Sequence, residues 1–227
     1  NGGTFTIAAD GSFSFDPGAG FNGLALGATA TTSVTYTVSD GQGGTDSATV
    51  TVTVTGGNDG PVSTAIAAET SADAATVSLD VSGHFSDPDG DTLTFTATGL
   101  PPGLTIDPAT GVVSGTIDTD ASLAGPYSVT IVADDGNGGT VSQTIAWTVT
   151  NPVPVAQDDA VATGQNTIAG GSVLDDNGNG ADSDADGDAL TVVAVDGSPT
   201  GVGTGVAGSN GGTFTIAADG SFSFDPG

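Results

Sequence analysis

The chain has 227 residues, 27 of them Asp or Glu and one His, with no Cys, Lys or Arg, for a formal charge of −27. Without Lys or Arg it makes no ordinary salt bridge and lacks the contacts on which binding to nucleic-acid phosphates or anionic lipid depends; without Cys, disulfides and thiolate metal sites are excluded. Such a charge opposes compaction and can mark disorder, but the apolar residues fall in alternating runs, the period of half-buried strands.

From the N-terminus, "TFTIAADGSFSF" places Phe5 and Ile7 before an Asp10-Gly11 turn and Phe13 and Phe15 after it, which predicts a hairpin. From Ala19 two long alternating runs meet at a Gly-rich tip, Asp40 to Thr45, and predict a second, longer hairpin. "TGGNDGPV", around Asn58 to Val62, breaks the pattern. Short strands are then expected near Val77–Val81, Thr92–Ala97, Leu104–Ile106, Val112–Gly115, Tyr127–Ala133 and Thr140–Val149, a spacing that suits a sandwich. A second joint, "TNPVPVAQDD", covers Thr150 to Asp159. Pro61, Pro152 and Pro154 fix φ and cannot donate to a ladder, so they suit extended connectors. No apolar pattern has helical period, and α content is expected to be minimal. No apolar run reaches the roughly 18–20 residues that span a bilayer and no basic segment precedes an apolar one, so no direct membrane insertion is expected.

The segment Asn1–Gly18 recurs unchanged as Asn210–Gly227, a period of 209 residues. Identity over that length reads as a window on a tandem array with an arbitrary frame. The expected domains are 1–59, the end of one sandwich; 60–151, a whole one; and 152–227, the opening of the next, completed in the parent protein by a copy of Ala19 to Asp59.

The carboxylates are clustered. "SDPDGDT" carries Asp87, Asp89 and Asp91, and "ADSDADGDAL" carries Asp182, Asp184, Asp186 and Asp188. Two carboxylates about 4 Å apart repel by roughly 4 kcal/mol at an effective dielectric near 20, and no Lys or Arg offsets this. A bound cation does, and oxygen ligands without thiolates select calcium or magnesium, with calcium favoured by flexible, carbonyl-rich loops. Asp182-x-Asp184-x-Asp186-Gly187 resembles the start of an EF-hand loop, but the twelfth position is Val193 rather than Glu, and the sequence beyond the cluster is strand-like, not helical. Further candidate ligands are Asp134 and Asp135, Asp158 and Asp159, Asn58 and Asp59, Asp40 and Asp46, and Asp175, Asp176, Asn177 and Asn179. Isolated acids such as Asp10, Asp107 and Asp219 read as turn formers. His84 reads as a structural residue at a strand end and Trp147 as core or interface packing rather than a carbohydrate platform. No nucleophile and base pair can be assembled, so no catalysis is expected.

These residues resemble known families. "GTFTIAADGSFSFDPGAGFNGLALG" and "YTVSDGQGGTDSATVTVTVTG", within Gly3 to Gly57, resemble the C-terminal part of VCBS repeats, and Pro154 to Gly227 resembles their opening portion. "DVSGHFSDPDGDTLTFTATGLPPGLTIDPATGVVSGT" and "VTIVADDGNGGTVSQTIAWTV" resemble a cadherin-like, dystroglycan-type Ig module; Leu100 to Thr116 carries most of that likeness. The resemblance implies an all-β fold of tandem Ig-like or cadherin-like β-sandwiches in an elongated array. It also implies calcium-dependent extenders of giant RTX-type bacterial adhesins, placed at the bacterial cell surface between an anchor and a ligand-binding tip. Carried over by position, it makes Asp87, Asp89, Asp91 and Asp134 calcium ligands. The linker motif Asp-x-Asn-Asp-Asn is represented only by "GGNDG" and "NPVPVAQDD". Neighbouring repeats are the expected partners. An alternative is a subunit of a self-assembling filament or S-layer, in which half-domains of identical subunits complete one another by strand addition. A third reading, a carbohydrate-binding or enzyme-appended module, would rest on Trp147.

Overall fold

The computed structural model describes residues 2–227. The strands, in chain order, are β1 (Thr4–Ile7), β2 (Phe13–Asp16), β3 (Thr29–Ser39), β4 (Thr45–Thr55), β5 (Val62–Ser63), β6 (Glu69–Ala72), β7 (Thr76–Asp80), β8 (Phe85–Ser86), β9 (Thr94–Thr98), β10 (Leu104–Ile106), β11 (Val112–Thr116), β12 (Tyr127–Asp134), β13 (Thr140–Thr150), β14 (Ala169–Ser172), β15 (Gly205–Ala207), β16 (Thr213–Ile216) and β17 (Ser221–Asp225). Only short 3-10 turns interrupt them, and no α-helix occurs among the described residues. The chain forms two compact units. One takes in the chain as far as Glu69 with Thr76–Thr116 and Pro126–Trp147, the other Thr70–Ala75, Ile117–Gly125 and Thr148–Gly227.

In the first unit, the predicted N-terminal hairpin is β1 and β2, antiparallel with Phe5 opposite Phe15 and Ile7 opposite Phe13. The long hairpin is β3 and β4, paired from Thr29–Thr55 to Ser39–Thr45. Its alternation separates two faces: Val34 stands opposite Val50, Tyr36 opposite Ala48, and Ala30 opposite Val54. The other face is hydroxylic, with Thr37 and Ser47 side chains 2.8 Å apart and those of Thr35 and Thr49 at 3.5 Å.

The sandwich of this unit sets β10–β11–β7 against β12 and its neighbours. β12 lies between β9 and β13, with Ile131 opposite both Ala97 and Gln143. Inward positions of β9, β11, β12 and β13 supply Phe95, Val113, Val129, Ile131, Ala133, Ile145 and Trp147, all buried, and Val81, Phe85 and Leu104 join them. Burying a side chain of this size contributes about 1.5–3 kcal/mol. β5 pairs with β8 for two residues, Val62 with Ser86 and Ser63 with Phe85. β13 passes into the second unit at Thr148. There Asp73 N–H donates to Thr150 O at 3.0 Å, and Thr150 Oγ1 donates to Ser71 O at 3.3 Å, which ties down the end of β6.

In the second unit the sheet order is β14–β17–β16–β15. The repeated hairpin reappears as β16 and β17 in the register of β1 and β2: Phe214 faces Phe224 and Ile216 faces Phe222. Here each strand gains an outer neighbour, β14 alongside β17 and β15 alongside β16.

Candidate cation sites

The first acidic cluster lies in the first unit, in the loop after β8. Local chemistry makes its turn: Asp87 Oδ1 accepts the backbone N–H of Asp89 at 2.9 Å and of Asp91 at 3.3 Å. Gly90 supplies the φ of +80° that lets the chain reverse. All three side chains are half-buried, and one carboxylate oxygen from each lies within 4.8 Å of the others.

Two further segments close on this loop. Asp59 N–H, from the joint after β4, donates to Asp89 Oδ2 at 2.7 Å. Asn137 Nδ2, from the turn after β12, donates to Asp91 Oδ2 at 2.8 Å. Joint and turn also bind each other, since Asn58 Nδ2 donates to Asp135 Oδ2 at 2.8 Å. Asp135 is 5% exposed. The Asn58 amide, with the N–H groups of Asn137 and Gly139, holds its carboxyl below the usual carboxylate range. After these bonds are made, Asn58 Oδ1, Asp87 Oδ2 and Asp89 Oδ1 remain buried with no donor. A buried oxygen that accepts nothing carries a desolvation cost of about 1–3 kcal/mol, more when charged. Asp134 Oδ1 accepts Gly136 N–H at 2.7 Å, and it is Asp135 that bonds the joint.

The second cluster lies in the second unit. Asp184, Asp186 and Asp188 each bring one carboxylate oxygen within 4.8 Å of the others. Asp186 is 7% exposed, and neither of its oxygens has a donor. Asp184 Oδ1 accepts the N–H of Asp186 at 3.1 Å, and Gly187 takes φ +88°. The proton that Asp186 takes up is shared with Asp184, and burial and the charges of Asp184 and Asp188 add to this, so its carboxyl is pushed up to about 6. Asp184 is correspondingly lowered. Asp182 stands beside the triad with Oδ1 accepting Gln157 N–H at 2.7 Å, the same linker-to-acid bond that Asp59 makes with Asp89. Val155 and Ser183 exchange backbone bonds at 2.8 and 3.0 Å and hold the linker there.

The remaining candidates go elsewhere. Asp158 O accepts Asn179 Nδ2 at 2.7 Å and Asp159 Oδ1 accepts Asn177 Nδ2 at 2.9 Å, a network separate from the triad. Asp176 caps its own turn through the N–H groups of Gly178 and Gly180. Asp40 does likewise with Gln42 and Gly44, and Asp46 accepts from Ser47 N–H. His84 sits in a 3-10 turn, with Nδ1 3.3 Å from Thr64 Oγ1. Trp147 is 1% exposed, which removes it as a stacking platform. Two residues escaped the sequence reading. Asn137 was hidden in the Gly-rich "DDGNGG". Asp73 is 3% exposed, its Oδ1 accepting Ser122 N–H at 2.8 Å and its Oδ2 buried with no donor.

Family models match the chain in three consecutive segments: a bacterial cadherin-like domain over residues 1–56, a domain described as "Putative Ig domain" over 60–150, and a bacterial Ig domain over 151–227. Each of the three segments is thus similar to a cadherin-like or Ig-like domain. Solved structures similar to these modules include mouse cadherin-23 EC22-24, at 15% identity over 65% of this chain and 49% of that one, with a TM-score of 0.43. The extracellular cadherin domains 1-5 of protocadherin gamma B2 match at 13% identity over 100% of this chain and 44% of that one, TM-score 0.45. The endo-fucoidan hydrolase MfFcnA4 matches at 19% identity over 99% and 32%, TM-score 0.36. The modules thus span less than half the length of each of these relatives. No curated protein matches. No helix among the described residues is long and apolar enough to cross a membrane.

Proposed function

We propose that this chain is a non-catalytic extender segment of a secreted bacterial surface adhesin of the RTX type, built of VCBS-like and cadherin-like modules and stiffened by calcium. The observation that carries this reading is the set of buried oxygens left without donors where the linker meets the acidic loop: Asn58 Oδ1, Asp87 Oδ2 and Asp89 Oδ1. They are hard donors from a linker and a loop, and the chain has no Lys or Arg to neutralise them. Asp91 and Asp135 complete that set, and Asp184, Asp186 and Asp188 form the second. A bound calcium would supply charge neutralisation and cross-bridging at the joint. The protein's own part is to hold the loops in place through the Asp59–Asp89, Asn137–Asp91 and Asn58–Asp135 bonds. The reading places the chain outside the cell, joined to neighbouring repeats, with no nucleic acid and no membrane insertion.

Small-angle scattering and thermal melts of the whole chain, in calcium and after chelation, test this. Chelation is expected to shorten the maximum dimension and lower the melting temperature by several degrees, since about 1 kcal/mol moves a domain of 150–250 residues by roughly 2–4 °C. Identical scattering curves and melting temperatures in the two buffers would refute stiffening by calcium.

A further inference from the structure

The two acidic loops are built alike. "SDPDGDTL" from Ser86 and "SDADGDAL" from Ser183 share the string S-D-x-D-G-D-x-L, which sets Asp184, Asp186 and Asp188 at the places of Asp87, Asp89 and Asp91. In each loop the first Asp accepts the N–H of the second, at 2.9 and 3.1 Å, and the Gly takes a left-handed φ, +80° and +88°. In each, a linker valine stands opposite the leading Ser, Val62 against Ser86 and Val155 against Ser183. Measured from those valines, Asn151 has the place of Asn58 and Pro152 that of Asp59. Pro152 leaves Asp186 with no linker donor: its counterpart Asp89 receives the N–H of Asp59 at 2.7 Å, and a proline has none to give.

The first set has one more member, the turn at the tip of β12–β13 that carries Asp135 and Asn137. Its double stands at the tip of β3–β4, at Asp40–Gly44. Asp135 Oδ1 accepts the N–H groups of Asn137 and Gly139 at 2.7 and 2.9 Å, and Asp40 Oδ1 accepts those of Gln42 and Gly44 at the same two distances. Gly136 and Gly138 have φ of +74° and +103°, Gly41 and Gly43 +71° and +101°. A Cβ on Gly139 would strike Asp135 Oδ2, and one on Gly44 would strike Asp40 Oδ2, so both turns hold the second oxygen alike. Asp176 also bonds N–H groups two and four residues on, but its left-handed glycines, Gly178 and Gly180, fall at other positions. The two tips differ in what they meet. Asp135 Oδ2 accepts Asn58 Nδ2 at 2.8 Å, whereas Asp40 is exposed and Asn151 Nδ2 donates to Pro152 O at 3.1 Å.

We propose that the Asp40–Gly44 turn of the following repeat completes the second cation site in the tandem array. There Asp40 takes the part of Asp135 beside Asn151, and Gln42 takes that of Asn137 beside Asp188. The order of the segments comes from the repeat, in which Asn210–Gly227 has the sequence of Asn1–Gly18 and is succeeded by a copy of Ala19 onward. Asp186, 7% exposed with neither oxygen bonded, is the residue this turn would close over. The proposal rests on the calcium reading and adds that one ion is shared by two successive repeats. A further carboxylate raises the charge of the donor set and with it the affinity for calcium.

Calorimetric calcium titration of the 227-residue chain, and of the same chain extended beyond Gly227 by a copy of Ala19–Asp59, tests this. The extended chain is expected to bind calcium at Asp184, Asp186 and Asp188 about tenfold or more tightly. Asp186→Asn removes the gain. Asp40→Asn in the appended copy also removes it, although Asn keeps the oxygen that accepts the Gln42 and Gly44 N–H groups. The same substitution at the N-terminal Asp40 leaves the gain in place. Equal affinities in the two chains overturn the shared site while leaving calcium binding itself standing. So does a gain that survives Asp40→Asn in the appended copy, or one that is lost from the N-terminal substitution. Absence of calcium binding in both chains removes the calcium reading and the shared site together.

Discussion

Asp10, Asp80 and Asp219 share one arrangement: the hydroxyl and N–H of a Ser two residues on both bond Oδ1, and the carboxyl is held below the usual carboxylate range. Asp186 is the opposite case, a buried carboxylate that no donor reaches. The difference sets the sign of its pH response. Its folded value of about 6 lies above the value near 3.9 of an unfolded Asp. In metal-free buffer its effect on stability is therefore neutral below about pH 4, turns unfavourable as the pH climbs through 6, and is constant above that. Asp186→Asn is expected to be more stable than wild type at pH 7 without metal, to match it near pH 4, and to show a smaller stabilisation by calcium. Denaturant melts at the two pH values, with and without the ion, check this. The two Asp-x-Asp-x-Asp strings were legible in the sequence because, in each, a single loop supplies all three clustered carboxylates. Asp73 and Asn137 were not, because Ser122 and Asp91, to which they bond, lie far along the chain.

The loops are held by the elements that carry them, and the tightest point is Gly139, at the base of β13. A Cβ there would run into the Asp135 carboxylate and lie 2.7 Å from Gly60 Cα and 3.0 Å from Pro61 Cδ. Forcing a methyl into such a space costs about 1–3 kcal/mol. Gly139→Ala is expected to lower the melting temperature and to weaken the calcium response of the first cluster without altering that of the second. Melts combined with calcium titration of the Asp186→Asn background separate the two. Strands with clean alternation, such as β3, β4, β12 and β13, were readable from period alone. β6, β14 and β15 carry "ETSA", "AGGS" and "GVA", which have no apolar alternation. They are strands because a longer neighbour offers its ladder edge.

Across the chain, the exact repeat at both termini was visible in the sequence. The structure adds that the repeated hairpin carries outer strands in one copy and none in the other. It also places the linker ahead of the shortest ladder in its module. Beyond Asn58 and Asp59 the backbone enters β5, which two residue pairs attach to β8. A pull along the chain would peel such a ladder open from its end. Asn58 and Asp59 are pinned upstream, to Asp135 and to Asp89, so tension leaves the backbone before it reaches Val62. The unfolding force in single-molecule stretching is accordingly expected to fall in Asp89→Ala, and to fall in wild type on chelation. Resistance to shear in this segment is then expected to rest on a handful of oxygens ahead of Val62, sparing the two-residue ladder behind them.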